Sequence, residues 1–287
     1  MNRTDYVHIV ECPRDAMQGW PTLLSTDEKI HYLNTLLRVG FQTLDFGSFV
    51  SPKAIPQMAD TREVVKALDT SSTATKLLAI IANVRGAEEA ATYGKVSTLG
   101  FPFSVSETFQ QRNTNSSREE SFERVRQIQK ICSGSGKELV VYLSMGFGNP
   151  YGDPYTPQLV SDWGRRIADL GVTTISLADT VGLATAEQVK SVTSEMIAAL
   201  PHCTIGVHLH APRGDWEGKV RGALDAGCRR IDGALRGIGG CPMAGNELVG
   251  NLPTEELIPF LRNEGLLAPL DTTALAQSLA IAQRIFH

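Results

Sequence analysis

Strand-like and helix-like segments alternate along this chain of 287 residues, with a spacing of about 30 residues between one strand and the next. Eight segments have the apolar, β-rich character of buried strands: residues 7–12, 43–48, 76–83, 96–101, 138–145, 173–178, 204–210 and 230–235. Helical periodicity and capping signals lie between several of them, at residues 25–40, 117–132, 156–170, 185–200 and 216–226. The alternation predicts βα units around a parallel sheet. A doubly wound open sheet would also alternate, but eight units favour a closed (β/α)8 barrel.

The chain length suits one catalytic domain, because a barrel of this class commonly needs roughly 250 residues. We expect the barrel to cover residues 5–250 and a helical extension to cover residues 251–287, with helices at 254–264 and 272–286. No low-complexity segment or strong linker divides the chain.

Charge and cysteine usage narrow the possible partners and compartment. The 27 basic and 31 acidic residues are spread along the chain and leave a net charge of −4, which disfavours nucleic acid or a membrane surface as a partner. No apolar stretch approaches the roughly 18 residues that suggest a membrane span, and the first strand begins too early for a presequence. The five cysteines are an odd number without a Cys-x-x-Cys pair, which favours the reduced cytoplasm.

A candidate metal site combines two distant segments. In Val207-His208-Leu209-His210, strand periodicity puts both imidazoles on one face. The first strand stops at Pro13 and is followed by Arg14-Asp15. If these strand ends meet, Asp15, His208, His210 and an amide oxygen could hold a divalent cation. Alone, the histidines could equally be satisfied in the core, and the Arg–Asp pair could be a local ion pair.

Other polar residues also sit where strands end, the edge at which barrel enzymes place their sites. Asp179 ends strand six, and Asp45 and Ser48 lie in strand two, although helix capping would explain all three. Cys241 follows Gly239 and Gly240 in a glycine-rich loop. It is therefore a candidate proton-transfer group, while burial as an inert thiol is the alternative.

Taken together, the motifs resemble the 3-hydroxy-3-methylglutaryl-CoA lyases, metal-dependent lyases built on a TIM barrel. The motifs that carry the resemblance span almost the whole chain: Pro13-Arg14-Asp15, Gly47-Ser48-Phe49-Val50-Ser51-Pro52-Lys53, Pro56-Gln57-Met58, Ser106-Glu107 with Asn113, Tyr142-Leu143-Ser144, Ser176-Leu177-Ala178-Asp179-Thr180-Val181-Gly182, Val207-His208-Leu209-His210, Gly239-Gly240-Cys241-Pro242 and Gly250-Asn251-Leu252-Pro253-Thr254-Glu255. Claisen-type synthases share Arg-Asp and His-x-His, but they carry a Glu in the loop where this chain has Cys241.

The resemblance implies a role for each matched residue. It implies metal ligation by Asp15, His208, His210 and Asn251, and catalytic roles for Arg14, Cys241, Asp45, Asp179 and Glu255. It implies substrate contacts by Arg14, Glu11, Ser48, Asn113 and Ser176. It also implies a homodimer and an acyl-CoA substrate.

This chain departs from the family pattern at several positions. Ala16-Met17 replaces a usual Gly-Leu, and one residue is missing between Glu11 and Pro13. Asp45 stands where a Glu is usual, which puts its reach in doubt. The stretch from Cys241 to Asn251 is one residue longer than usual and contains a second amide, Asn246. None of these changes removes a ligand.

The implied reaction is the cleavage of 3-hydroxy-3-methylglutaryl-CoA into acetoacetate and acetyl-CoA, as in leucine degradation and ketone-body formation. A divalent cation would acidify the substrate hydroxyl, Arg14 would stabilise the enolate, and Cys241 would protonate it. The mixed oxygen and nitrogen ligand set suits Mg²⁺ or Mn²⁺, with zinc as an alternative. Two other functions stay open: a lyase or aldolase acting on a related acyl-CoA or 2-oxo acid, and a non-catalytic barrel.

Overall fold

The eight strands close into a parallel barrel in sequence order in the computed structural model, which describes residues 6–212, 214–240 and 249–287. The strands are β1 (His8–Glu11), β2 (Thr43–Ser48), β3 (Lys76–Ile80), β4 (Val96–Ser104), β5 (Glu138–Ser144), β6 (Thr174–Asp179), β7 (Thr204–Leu209) and β8 (Arg230–Gly233). Strand β1 pairs with both β2 and β8, and this pairing closes the sheet. The predicted TIM barrel is therefore confirmed, and the open doubly wound alternative is wrong.

Helices surround the barrel and cap it. They are α1 (Pro13–Gln18), α2 (Thr26–Val39), α3 (Thr61–Ala67), α4 (Val84–Ala91), α5 (Glu107–Thr114), α6 (Arg118–Ser135), α7 (Pro157–Ala168), α8 (Ala186–Ala199), α9 (Glu217–Asp225), α10 (Thr254–Asn263) and α11 (Thr272–Ile285). Capping boxes at Ser25, Ser117 and Thr185 start α2, α6 and α8, where the sequence predicts helix starts. No helix in the described ranges is long and apolar enough to cross a membrane.

Two local differences from the sequence-based expectation affect the mouth of the barrel. The segment after β1 forms the short helix α1, with Pro13 at its first position, so Arg14 and Asp15 lie in a helical turn. Strand β4 continues to Ser104, three residues beyond the expected end, because it pairs with β5 along its length up to Ser144.

The segment beyond β8 returns to the barrel mouth. Asn251 bridges to His210, and Pro253 bridges to Ala234 just after β8. Helix α11 then packs against α2 on the outside of the barrel. The chain after residue 250 thus contributes to the carboxyl ends of the strands, as well as extending the fold with the two expected helices.

Candidate metal centre and active site

Three potential metal ligands meet at the carboxyl ends of the strands. Ligand atoms of Asp15, His208 and His210 all lie within 4.8 Å of one another. Asp15 comes from α1, while the two histidines lie at the end of β7 with ring centroids 4.8 Å apart. Asn251 Nδ2 donates to Asp15 Oδ2 at 2.6 Å, so the fourth expected ligand lies beside the other three. The tertiary structure therefore brings together residues that the sequence separates by more than 190 positions.

The two imidazoles are oriented by their Nδ1 atoms. His208 Nδ1 lies 3.2 Å from Asp232 Oδ2, and His210 Nδ1 lies 3.2 Å from the carbonyl oxygen of Gly250. In each ring the Nε2 atom is left for a cation. Burial, and then the charge of His208, lower the pKa of His210 to about 4, so this imidazole is neutral at physiological pH and can act as a ligand.

Asp15 is ionised and can therefore bind a cation through its carboxylate. Burial alone would raise its pKa, but the charge of Arg14, followed by those of the protonated forms of His208 and His210, holds the pKa of Asp15 well below its usual range. A buried carboxylate, two imidazoles and an amide within this space suit a divalent cation with mixed oxygen and nitrogen ligands.

Arg14 is fixed between two carboxylates. Its Nη2 donates to Asp45 Oδ2 at 2.6 Å and its Nε to the same oxygen at 3.0 Å, while Nη1 donates to Asp15 Oδ1 at 3.1 Å and to Gln18 Oε1 at 2.8 Å. Burial disfavours the charged form of Arg14, but the negative charges of Asp45 and Asp15 have the larger effect and raise the pKa of Arg14. Burial also raises the pKa of Asp45 to about 6, although Arg14 lowers it. The guanidinium is thus a permanent, oriented cation next to the metal ligands.

A cavity of about 460 Å³ opens over these groups. Its polar wall includes Arg14, Asp15, Asp45, His208, His210 and Asp232. The apolar part of its lining is built by Val50, Ala54, Ile55, Ile80, Ala82, Pro102 and Phe109. Asn113 and its neighbour Arg112, both on α5, lie at the same cavity. A pocket with an apolar side and a few convergent charges is typical of a small-molecule site.

The comparison with a family model decides the relationship of this chain. The model described as HMGL-like matches residues 7–281. The chain belongs to the HMGL-like family. Members of this family depend on a divalent metal, and the cluster of Asp15, His208 and His210 offers a site for it.

Individual members of the HMGL-like family are similar over most of the chain. The cytoplasmic 3-hydroxy-3-methylglutaryl-CoA lyase of Rattus norvegicus is 34% identical over 270 residues, which cover 93% of this chain and 77% of the relative. The hydroxymethylglutaryl-CoA lyase YngG of Bacillus subtilis is 33% identical over 249 residues, which cover 87% and 82%. An HMG-CoA lyase from Acinetobacter baumannii, solved in complex with coenzyme A and 3-methylmalate, superposes with a TM-score of 0.91 at 30% identity, covering 100% of this chain and 93% of that one.

Apart from Asn251, which reaches Asp15 without lining the cavity, five residues that the family resemblance assigns to the site lie outside the cavity wall. Glu11 is fully buried and accepts hydrogen bonds from the Leu235 amide at 2.9 Å and from Thr254 Oγ1 at 2.6 Å. Glu255 Oε2 accepts from the Arg236 amide at 2.8 Å. These two carboxyl groups therefore hold the segments that enter and leave the glycine-rich loop.

The other three of these residues are buried in strands β2 and β6. Asp179 Oδ2 accepts from Lys219 Nζ at 2.8 Å, which ties it to α9, the helix that follows β7. Ser48 Oγ accepts from the Val50 amide at 3.2 Å. Ser176 Oγ is buried and has no hydrogen-bond partner in the described part of the chain. Their assigned roles at the substrate stay predictions.

The glycine-rich loop starts directly on the metal ligands. The Gly240 amide donates to Asp15 Oδ2 at 3.3 Å. Gly239 has a φ of +117°, and a Cβ there would lie 2.8 Å from Asp15 Oδ2, so no larger residue fits at this position. Cys241 lies outside the described residues.

Sequence reasoning missed Asp232, Arg230 and Lys219. Asp232 and Arg230 alternate along β8 in the same way as the histidines along β7, so strand periodicity applied to Arg230-Ile231-Asp232 would have placed both inside the barrel. Lys219 left no such signal, because its burial depends on how α9 packs against the barrel.

Proposed function

We propose that this chain cleaves 3-hydroxy-3-methylglutaryl-CoA into acetoacetate and acetyl-CoA. The observation that carries the proposal is the position of the buried Arg14 guanidinium beside Asp15, His208 and His210 in one cavity. This arrangement provides a place for the hydroxyl and carboxylate of the acyl group next to a fixed cation for the thioester oxygen. The family relationship already identifies a carbon–carbon lyase.

The reaction breaks the bond between the hydroxyl-bearing carbon and the carbon next to the thioester. The hydroxyl loses its proton, the electron pair of the broken bond forms the thioester enolate, and the enolate carbon then takes up a proton. A divalent cation bound by Asp15, His208, His210 and Asn251 would acidify the hydroxyl.

Two side chains of the polar wall, Arg14 and Asp45, have a part in these steps beside the metal ligands. Arg14 offers N–H donors to the enolate oxygen, and it stays charged because two carboxylates flank it. Asp45, with a pKa of about 6, is ionised at neutral pH yet basic enough to accept the hydroxyl proton. We assign the protonation of the enolate carbon to Cys241, and an acyl contact at the mouth to Asn113.

The ligand found in a relative supports the substrate class. The Acinetobacter baumannii HMG-CoA lyase was solved with coenzyme A and 3-methylmalate, and this chain has the same fold over its full length. We therefore expect a hydroxy acid joined to coenzyme A at this site. We propose Mg²⁺ or Mn²⁺ as the metal because of the hard oxygen ligands, and zinc is the alternative. The expected homodimer and cytoplasmic location stay predictions.

A related acyl-CoA is the second candidate substrate. Asp45 is one carbon shorter than the usual Glu, and part of the cavity lining is apolar. Both features could admit a different substituent on the hydroxyl-bearing carbon.

A direct assay tests both candidates. Purified protein is incubated with 3-hydroxy-3-methylglutaryl-CoA and either Mg²⁺, Mn²⁺ or Zn²⁺, and acetoacetate is measured, with a chelator as the blank. We expect metal-dependent acetoacetate release. If 3-hydroxy-3-methylglutaryl-CoA is inert while another 3-hydroxyacyl-CoA is cleaved, the substrate assignment is wrong; if every acyl-CoA is inert with all three metals, the lyase assignment fails.

A further inference from the structure

A buried row of charged side chains runs from the interior of the barrel to the metal ligand His208. Arg230 Nη1 donates to Asp232 Oδ1 at 2.9 Å, and Asp232 Oδ2 lies 3.2 Å from His208 Nδ1. His208 and Asp232 are register partners on the neighbouring strands β7 and β8. The three side chains therefore form one hydrogen-bonded series with the imidazole at its outer end.

The barrel interior makes room for this series. A Cβ at Gly206, two residues before His208 on β7, would lie only 3.1 Å from three atoms of the Arg230 side chain. The Arg230 guanidinium lies 6.0 Å from the centroid of the Tyr142 ring, and that ring contacts His208 edge-on at 5.9 Å between centroids. Gly206 and Tyr142 thus enclose the ion pair, and the Tyr142 side chain also hydrogen-bonds with Arg230 and Asp232.

Because Arg230 and Asp232 are both buried, each needs the other as its ion-pair partner. Arg230 is 3% exposed and Asp232 is 1% exposed. An unpaired charge in such a place carries a large desolvation penalty, so neither residue can lose its partner without cost. A structural ion pair could satisfy this condition anywhere in the core, but here the second carboxylate oxygen is committed to a metal ligand.

The hydrogen-bond directions follow from chemistry. Arginine only donates, so Oδ1 of Asp232 must accept from Arg230. A carboxylate also only accepts, so Oδ2 takes the proton of His208 Nδ1. The lone pair of the neutral ring is then on Nε2, the atom that is free to bind a cation.

We propose that Arg230 and Asp232 are positioning residues that fix His208 in its metal-binding tautomer. The inference rests on the proposed metal site. Arg230 acts through Asp232, since it claims one carboxylate oxygen and thereby prevents that group from turning.

This arrangement predicts how substitutions of Asp232 and Arg230 change the metal affinity. In Asp232→Asn, the amide oxygen must face Arg230, because the alternative would point two donors at each other. The amide NH₂ group then faces His208 Nδ1 and favours the tautomer with its proton on Nε2, which cannot bind a cation. We expect metal affinity to fall about 10- to 100-fold. In Arg230→Met/Asp232→Asn the guanidinium no longer holds the amide oxygen, and the Tyr142 hydroxyl beside residue 232 can either donate or accept. The amide can then turn its oxygen toward Nδ1, so adding Arg230→Met should restore affinity that Asp232→Asn removed.

The experiment measures metal binding and tautomer separately from activity. Mn²⁺ affinity is measured by titration calorimetry for the wild type, Asp232→Asn and the double variant. The tautomer of His208 is read from long-range ¹H–¹⁵N spectra of the metal-free protein at about pH 9, where an imidazole is neutral. Asp60→Asn is the matched control, because it breaks the partly buried Lys29–Asp60 ion pair away from the cavity and should leave the Mn²⁺ affinity unchanged.

The outcomes separate this inference from the metal site itself. If the wild type binds no Mn²⁺, the metal assignment fails. If the wild type binds Mn²⁺ and Asp232→Asn binds it equally well, the positioning role of Asp232 is wrong. Equal affinity in the single and double variants would exclude the role of Arg230. The wild-type spectrum is a further test without any substitution, since a proton on Nε2 of His208 would overturn the proposal.

Discussion

Arg14 and Asp45 form a buried ion pair at the barrel mouth in which two nitrogens of the guanidinium share one carboxylate oxygen, at 2.6 and 3.0 Å. The residues lie 31 positions apart, in α1 and β2. Because Nη1 is held separately by Asp15 and Gln18, every nitrogen of the guanidinium has a fixed direction. A charge of this kind is oriented before the substrate arrives.

Arg14→Lys should therefore lose rate far more than substrate affinity. Lysine keeps the charge but cannot reproduce the fork, so we expect kcat to fall by about 10²- to 10³-fold with a much smaller change in KM. Arg166→Lys is the control, because Arg166 makes a comparable two-pronged pair with Glu119 on the surface. An unchanged kcat in Arg14→Lys would make Arg14 a structural residue.

His210→Ala should abolish dependence on added metal together with activity. The variant loses one of the four proposed ligands, so we expect weaker Mn²⁺ binding and less than about one hundredth of the wild-type rate. Mn²⁺ titration and acetoacetate release measure the two effects. His31→Ala, on the exposed side of α2, should behave as wild type. Full activity of His210→Ala in a chelator contradicts the metal assignment.

Cys241→Ala should fold normally and bind metal, yet lose on the order of 10²-fold or more in rate, the scale expected for a general acid. An alkylating reagent should inactivate the wild type, and substrate should slow this loss. Burial raises the pKa of the thiols of Cys132 and Cys228 to about 11, and it also raises those of Cys12 and Cys203, so these four should react slowly.

Mass spectrometry of the alkylated protein locates the reactive thiol. Cys203→Ala is the matched control, since Cys203 is partly exposed and the other three are buried. If Cys203→Ala protects the enzyme from alkylation, or if Cys241→Ala turns over at the wild-type rate, another group must donate the proton.

Lys219→Met should destabilise the protein by about 3–5 kcal/mol, because it leaves the buried Asp179 carboxylate without its ion-pair partner. Lys219 also donates to the backbone carbonyls of Gly182 and His210. Lys219→Met/Asp179→Asn should recover part of the loss, which urea unfolding would measure. If Asp179→Asn has normal stability but a much lower kcat, Asp179 instead has a direct role at the substrate.

The stability of the protein should fall as pH rises toward 8, through the titration of Glu11. Burial raises the pKa of this carboxyl from 4.5 to about 8, although hydrogen bonds from Thr254 and Leu235 oppose the shift. Between these values the folded state holds a proton that the unfolded chain has released, so the stabilisation is complete below the unfolded pKa and is lost as pH rises through the folded one. The free energy of unfolding should fall by on the order of a few kcal/mol over this pH range.

Glu11→Gln should remove this part of the pH dependence. The amide keeps the shape of the neutral carboxyl and cannot titrate. Urea midpoints of the variant and the wild type are compared at about pH 5 and about pH 8.5, which span most of the range between the unfolded and folded pKa values of Glu11. An equal loss of stability in both proteins would show that other groups cause it.

Much of the barrel was predictable because its signals are local. Each of the eight predicted strands overlaps an observed one, and β2 has the expected bounds of residues 43–48. Strand ends were less certain. Residues 81–83 lie beyond the end of β3, and β4 gains three residues through pairing with β5, which no local pattern encodes.

The meeting of the metal ligands was predictable only in outline. Strand periodicity put His208 and His210 on one face, and the parallel barrel put their end of β7 near Asp15. The hydrogen-bond partners of Glu11 and Asp179 were not predictable from the sequence. Their partners Thr254 and Lys219 are distant in sequence, and only packing decides whether a carboxylate faces the cavity or a buried partner.

The sequence by itself determined the alternation of strands and helices, the family and the residue types of the site, because periodicity, capping and motifs are properties of short segments. Only the tertiary structure decided which polar groups share a cavity and which pair with one another out of contact with solvent. The reason is physical. Hydrogen bonds and ion pairs such as Arg14–Asp45 and Arg230–Asp232–His208 depend on distances of about 3 Å, which are set when separate strands and helices pack together.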